Sequence, residues 1–358
     1  MTSTVHSQST HELTDPYFSQ QSIESNLSLL AASDLFLAES SLTYRGTVAD
    51  HDLSLTLSHG RMDVDYQPNA IADLIGTSRQ LQKDRLGFQS NLNGSLTTKL
   101  GWRIGGGYYN GYANYRTLWL DEYYRQQFSR LTGYEQADPF GFNGLLGLRW
   151  EYLPATGIAE VNLSYQRSQI APGYDRPLFQ ALERGRDTIN TLGATLSVEH
   201  VLGSRWRGRF QFSLADTTHR SLRNAAGLSL NYTLSESWIW RGTVARTSEQ
   251  AGFLSHSIET IWEHDWNNEW FVGFGGRFYE DNGDIENSLF VVTTAAPDLK
   301  TTQAFLSFRW TSLKSAVHVE LGPYLVDYAT ADTVIAPFAN LYRERNFFRL
   351  GFSYSYSF

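Results

Sequence analysis

The 358-residue chain contains no cysteine. That excludes disulfides, thiolate zinc sites and thiol catalysis. It also lacks any apolar run near the ~20 residues a membrane-spanning helix needs, so a helical membrane protein is excluded. Charged residues are scarce, at 18%, against the ~25% usual in soluble domains. The net charge of −8 argues against a duplex nucleic-acid binder, and no nucleic-acid partner is expected. The first twenty residues are polar and lack the apolar centre of a secretory signal. Residues 1–20 therefore read as a polar segment preceding the fold, and Met1 as an added start on a mature chain.

Chemistry is sparse as well. The nine histidines show neither His-Glu-x-x-His nor another close ligand spacing, so no metal is expected. In Glu263-His264-Asp265, strand alternation turns His264 away from both acids. No Gly-x-Ser-x-Gly elbow is present. Gly105-Gly106-Gly107 lacks the Lys-Ser/Thr ending of a phosphate loop and reads as a close approach inside a strand, as do Gly273, Gly275 and Gly276. No enzyme activity and no cofactor are expected.

Aromatics are abundant: 20 Tyr, 21 Phe and 10 Trp. They fall in alternating patterns. At the carboxyl end Phe358, Tyr356, Tyr354, Phe352, Leu350 and Phe348 share one face of a strand, and Ser357, Ser355, Ser353, Gly351 and Arg349 the other. Similar segments recur in pairs. Leu146, Leu148 and Trp150 lead to Pro154-Ala155-Thr156-Gly157, and Val161, Leu163 and Tyr165 follow. Leu230 and Tyr232 lead past Ser235-Glu236 to Trp238 and Trp240. Such short turns suit tight hairpins.

The other ends are joined by longer, more charged stretches, at 67–82, 115–139, 170–186, 281–300 and 329–345, while two connections at this end, near 217–221 and 250–252, look short. The pattern predicts sixteen strands: 21–31, 35–49, 51–66, 83–96, 100–114, 140–153, 157–169, 187–202, 204–217, 221–234, 236–249, 252–266, 269–280, 301–312, 314–328 and 345–358. The first two are weakest, because Leu29-Leu30-Ala31-Ala32 blurs the alternation, and fourteen or eighteen strands stay open. A soluble sandwich or jelly roll is the competing fold. Strands of twelve or more residues, against the ~5–6 usual in soluble sheets, disfavour it. So do the tryptophans gathered near the turns, as in a membrane-interface girdle.

A terminal aromatic strand ending in Phe, with short turns on one side and long loops on the other, resembles a bacterial outer-membrane β-barrel of the porin-like superfamily. The resemblance covers 21–358 and implies an all-β, antiparallel, up-and-down transmembrane barrel. It implies Phe358, Tyr356, Tyr354 and Phe352 as a signal read by the barrel-assembly machinery, and outer-membrane lipid and lipopolysaccharide as surroundings. An even strand count puts both termini on the periplasmic side. A periplasmic partner or a homo-oligomer stays open.

With the aromatic face towards lipid, the other face lines the interior. Its candidates are Arg103, Arg149, Arg207, Arg209, Arg241, Arg277, Arg309 and Arg349, with Glu151, Glu160, Glu199, Glu259 and Glu320. Arg45, Glu263, Asn91, Asn143, Asn162, Gln166, Gln211, Ser213 and Asn231 share it. Sixteen strands leave room for an aqueous channel. Guanidinium groups there favour anionic or hydroxyl-rich solutes. Two alternatives remain: an export barrel for exopolysaccharide or another cargo, served by a periplasmic partner, and a plugged structural barrel whose arginines pair with glutamates. The aromatic loop 115–139 and the turn-rich 172–177 are candidates for narrowing the bore or capping it.

Overall fold

The computed structural model describes residues 21–66, 79–112, 139–169, 188–218, 221–250, 252–283, 298–328 and 344–358. The polar segment 1–20, residues 115–138 of the aromatic loop, and 172–177 lie outside them. The described residues form sixteen strands. In order these are β1 (Ser22–Ala31), β2 (Leu35–Val48), β3 (His51–Tyr66), β4 (Arg79–Ser95), β5 (Leu100–Asn110), β6 (Phe140–Leu153), β7 (Gly157–Gln169) and β8 (Thr188–Val201). They continue as β9 (Trp206–Thr217), β10 (Arg223–Thr233), β11 (Trp238–Glu249), β12 (Leu254–Asp265), β13 (Trp270–Asp281), β14 (Leu299–Thr311), β15 (Ser315–Tyr328) and β16 (Arg345–Ser357). Each strand pairs antiparallel with its chain neighbours, and β16 pairs with β1 to close the wall. The fold is a closed sixteen-stranded antiparallel barrel.

The strands are strongly staggered. Following paired residues around the wall from Ser22, the first residue of β1, leads through Ser54 of β3 and Ser164 of β7 to Glu249, the last residue of β11. Ten of the sixteen steps around the wall thus climb from one rim to the other, which is the tilt that closure requires. Sixteen strands spaced ~4.8 Å apart and tilted by ~40° enclose a wall roughly 30 Å across between backbones.

Seven connections at one rim, the turn end, have two to four residues. Four of these turns close alike. The amides of Leu96, Leu202, Leu234 and Trp266 donate to the carbonyls of Leu100, Trp206, Trp238 and Trp270, at 2.8–2.9 Å. The β2–β3 turn is tighter. Ala49 and Asp50 both have positive φ, 49° and 65°, the type I′ geometry that matches strand twist.

One face of every strand meets the surroundings. Leu57, Leu86, Leu146, Leu163, Ile258 and Phe274 stand on it and are more than half exposed. So large an apolar belt on a solvated surface would aggregate; in hydrocarbon it is satisfied. Nine of the ten tryptophans gather at the turn end: Trp102, Trp150, Trp206, Trp238, Trp240, Trp262, Trp266, Trp270 and Trp310. Trp206 stacks on Tyr232 with centroids 4.2 Å apart, and Trp240 lies 6.3 Å from Trp262. This is the interfacial ring that indole favours, apolar body in lipid and N–H towards water.

Two strand ends depart by four residues from the pattern read above, the others by two or fewer. β4 begins at Arg79, four residues before the expected start at 83. Its pairing with β3 runs to Tyr66. The cause is an apolar cluster on the interior face at the loop end: Leu35, Met62, Val64, Leu81, Tyr112 and Phe347, all buried, with Leu30, Leu37, Tyr324 and Val326 packed against them. Here the alternation inverts, apolar inside and polar outside, so 79–82 read as loop. The same cluster explains Leu29-Leu30: Leu29 pairs with Leu350 on the outer face, while Leu30 joins the cluster within. Elsewhere β5 stops at Asn110, short of the expected 114.

Candidate channel interior

The pairing register puts every interior candidate on one face. Arg149 sits opposite Glu160, Glu199 opposite Arg209, Asn231 opposite Arg207 and Arg241, Glu259 opposite Arg277, and Ser307 opposite Glu320. Arg103 lies opposite Asn93, Arg309 opposite His318, Arg349 opposite Gly322, and Glu151 opposite Ile158. This is the face turned from the exposed belt, and in a closed barrel it is the interior.

Most of these charges are paired. Arg103 reaches over β6 to Glu160 at 3.2 Å, and its Nε donates to Asn93 at 2.9 Å. Asn162 donates to the same Glu160 at 2.8 Å. Arg207 and Glu199 form a short ion pair. On the opposite wall Arg277 binds Glu320 and Glu259, the latter at 3.3 Å, and donates to Gln303 at 3.1 Å. Arg349 donates to Gln303 at 2.9 Å. Glu263 sits between Arg241 at 2.6 Å and Arg309 at 3.7 Å. Arg149 is also partnered, and Glu151 accepts from the Ala155 amide at 2.6 Å, tying the interior face to a turn.

Two phenylalanines stand on this polar face. The Arg277 guanidinium lies 4.3 Å from the Phe305 ring centre, and Arg309 lies 4.1 Å from that of Phe271. Cation–π contact and ion pairing together hold the arginines flat along the wall. Glycine makes room: a Cβ on Gly275 would clash with the edge of the Phe305 ring and lie 2.5 Å from the Thr260 carbonyl. The glycines of β5 serve a similar close approach, since a Cβ on Gly107 would lie 2.8 Å from the Phe88 carbonyl. No phosphate loop is formed there.

Sequence reading overlooked several interior residues. Arg85 lies 4.9 Å from the Tyr109 ring and has no acidic partner among the described residues. Its parity with Gln89 and Asn91 points inward, and the late start assigned to β4 hid how deep it sits. Arg345 grips Asp34 at 2.9 Å across the closing seam. Arg223 pairs with Glu249 at 2.8 Å, and Glu24, also overlooked, pairs with the expected Arg45 at 3.0 Å. At the mouth, burial and the negative charge of Glu39 push the Tyr112 phenol up to about 12. His264 faces outward and packs 4.7 Å from Trp238, while Glu263 points in. Among the described residues no group of His, Asp or Glu is arranged to hold a metal.

No protein-family model matches the sequence, and no curated protein matches it. Solved structures do. CdiB from Acinetobacter baumannii superposes with a TM-score of 0.55 and 11% identity, over 95% of this chain and 60% of its own. A bacterial polysaccharide outer membrane secretin superposes with a TM-score of 0.53 and 9% identity, over 95% of this chain and 98% of its own. The chain thus spans 60% of the length of CdiB. At such identities the likeness is one of fold: the chain is an outer-membrane-type β-barrel.

Proposed function

We propose that the barrel is an outer-membrane channel for passive passage of small hydrophilic solutes, with a preference for anions. A polar, charged interior face inside a sixteen-stranded wall carries this reading. A wall of that circumference exceeds what side chains alone fill. Its arginines outnumber its glutamates, and guanidinium pairs well with carboxylate and phosphate. In this reading both barrel termini are periplasmic, the tryptophan ring sits at the inner leaflet boundary, and the long connections meet lipopolysaccharide.

Planar bilayers test it. Purified protein should give a steady ionic current whose reversal potential in a salt gradient lies on the anion side. Replacing Arg207 and Arg209 together by Glu should move it towards cations. Absence of any current would sink the channel reading.

The likeness to the polysaccharide secretin, across nearly the whole of both chains, favours a second reading, an export barrel that opens for a polymer delivered from the periplasm. A barrel that stays silent in salt but binds charged polysaccharide at its turn end would support it.

A further inference from the structure

The interior wall is not uniform. On β12–β16 no interior-facing described residue is exposed, and many are buried: Gln303 is 2% exposed, Ser307 5% and Glu320 8%. The cause is visible. Arg277, Arg309, Phe271 and Phe305 lie flat across the glycines and short side chains beneath them, knitted by Glu259, Glu263 and Glu320. On β4–β9 the interior face is open over part of its height, although Leu81, Tyr109, Ser168 and Ser197 are buried there. Gln89, Arg103, Asn143, Ser164 and Gln211 are all exposed, one or more on most of these strands.

Charges on the open wall are paired in part: Arg103 ends on Glu160 and Arg207 on Glu199, whereas Arg85 and Arg209 find no carboxylate among the described residues. On the covered wall Arg277 and Arg309 end on carboxylates. On the open wall Arg209 faces Glu199 in register, but that carboxylate is taken by Arg207. Arg209 has no hydrogen-bond or ion-pair partner among the described residues, and Arg85 has only its aromatic contact. A paired guanidinium acts on a passing ion as a weak dipole. An unpaired one acts as a whole charge, over about 8–10 Å at physiological salt.

We infer that permeant ions travel along a strip of the wall formed by β4–β9, with Arg85 and Arg209 setting the anion preference and the arginines of β12–β16 serving as wall. This inference rests on the channel reading. Because the chain has no native cysteine, single cysteines report the wall directly. In purified protein, Gln211→Cys and Asn143→Cys should react with a negatively charged, membrane-impermeant methanethiosulfonate at least about tenfold faster than Ser307→Cys and Thr301→Cys. Equal rates on the two walls would overturn the inference, whether or not the barrel conducts.

Selectivity gives the second arm. Arg209→Gln, and separately Arg85→Gln, should lower the anion-to-cation permeability ratio about two- to fourfold. The charge-balanced Arg277→Gln/Glu320→Gln variant should leave the ratio unchanged. The reverse pattern in a conducting channel refutes the assignment of the path, whereas an absent wild-type current refutes the channel itself.

Discussion

The seam between β16 and the β1–β2 turn offers the sharpest energetic test. Arg345 donates to Asp34 through Nε at 3.1–3.2 Å and Nη2 at 2.9 Å. The two side chains are only 4% and 13% exposed. Leu35 and Phe347 beside them are buried. Arg345→Met keeps the aliphatic bulk and removes the charge, so the largely buried Asp34 loses its ion pair with Arg345. Losing one member of a buried pair costs about 3–5 kcal/mol, against roughly 0–1 kcal/mol for an exposed pair.

The control lies at the other end of the same region. Arg45 and Glu24 are 3.0 Å apart, with side chains 27% and 25% exposed, so Arg45→Met should cost about 1 kcal/mol or less. Urea unfolding in detergent micelles reads the difference. With a slope of ~2–3 kcal/mol per molar, Arg345→Met should lower the midpoint by ~1 M or more. Adding Asp34→Leu should restore most of the loss, because both buried charges are then gone. If Arg345→Met costs no more than Arg45→Met, burial is not what gives the seam pair its weight.

Three further outcomes are expected. Replacing Ala49-Asp50 by Asn-Gly should stabilise the barrel by about 1 kcal/mol in the same titration, because positive φ is costly for Ala and suits Asn-Gly in a type I′ turn. Since the Tyr112 phenol is raised to about 12 in the fold from about 10 in the unfolded chain, its contribution is complete below pH 10 and is lost as the pH rises to 12. Tyr112→Phe should therefore lose less stability than wild type across that window. Deleting Phe358 removes a half-exposed ring and one backbone hydrogen bond to Gln21 at 2.9 Å. Urea stability of refolded protein should fall by about 1 kcal/mol or less, while the amount assembled in cell membranes should drop sharply; equal losses in both would refute a signalling role.

Much of the wall was legible because the lipid face leaves the plainest mark. Leu146-x-Leu148-x-Trp150 and Phe348-x-Leu350-x-Phe352 are alternations a strand reader cannot miss, and the tryptophans flag the turn end. The bounds at 51–66, 140–153 and 157–169 coincide with β3, β6 and β7. Reading failed where the interior is apolar. Leu81 and Leu30 point inward into a cluster assembled from β2, β3, β4 and β16, a gathering that no local period reveals. Side-chain partnership was equally hidden. Parity places Arg209 and Arg277 on one face, yet only the tertiary arrangement leaves the first without a partner among the described residues and surrounds the other with Glu259 and Glu320. Phe271 and Phe305 stand on a polar face, and their use appears only once a guanidinium lies over each.

The order of the strands has a consequence in time. Fifteen of the sixteen pairings join chain neighbours across a single connection, so each can form as its hairpin leaves the unfolded chain. The pairing of β1 with β16 joins residues more than 300 positions apart and closes the longest loop in the molecule. Until it forms, the sheet has two bare edges, and each presents a row of unpaired backbone groups beside a greasy face. Assembly therefore stays exposed to mispairing until its last step, and the terminal strands are the edges that a catalyst of insertion would have to hold apart and then release together.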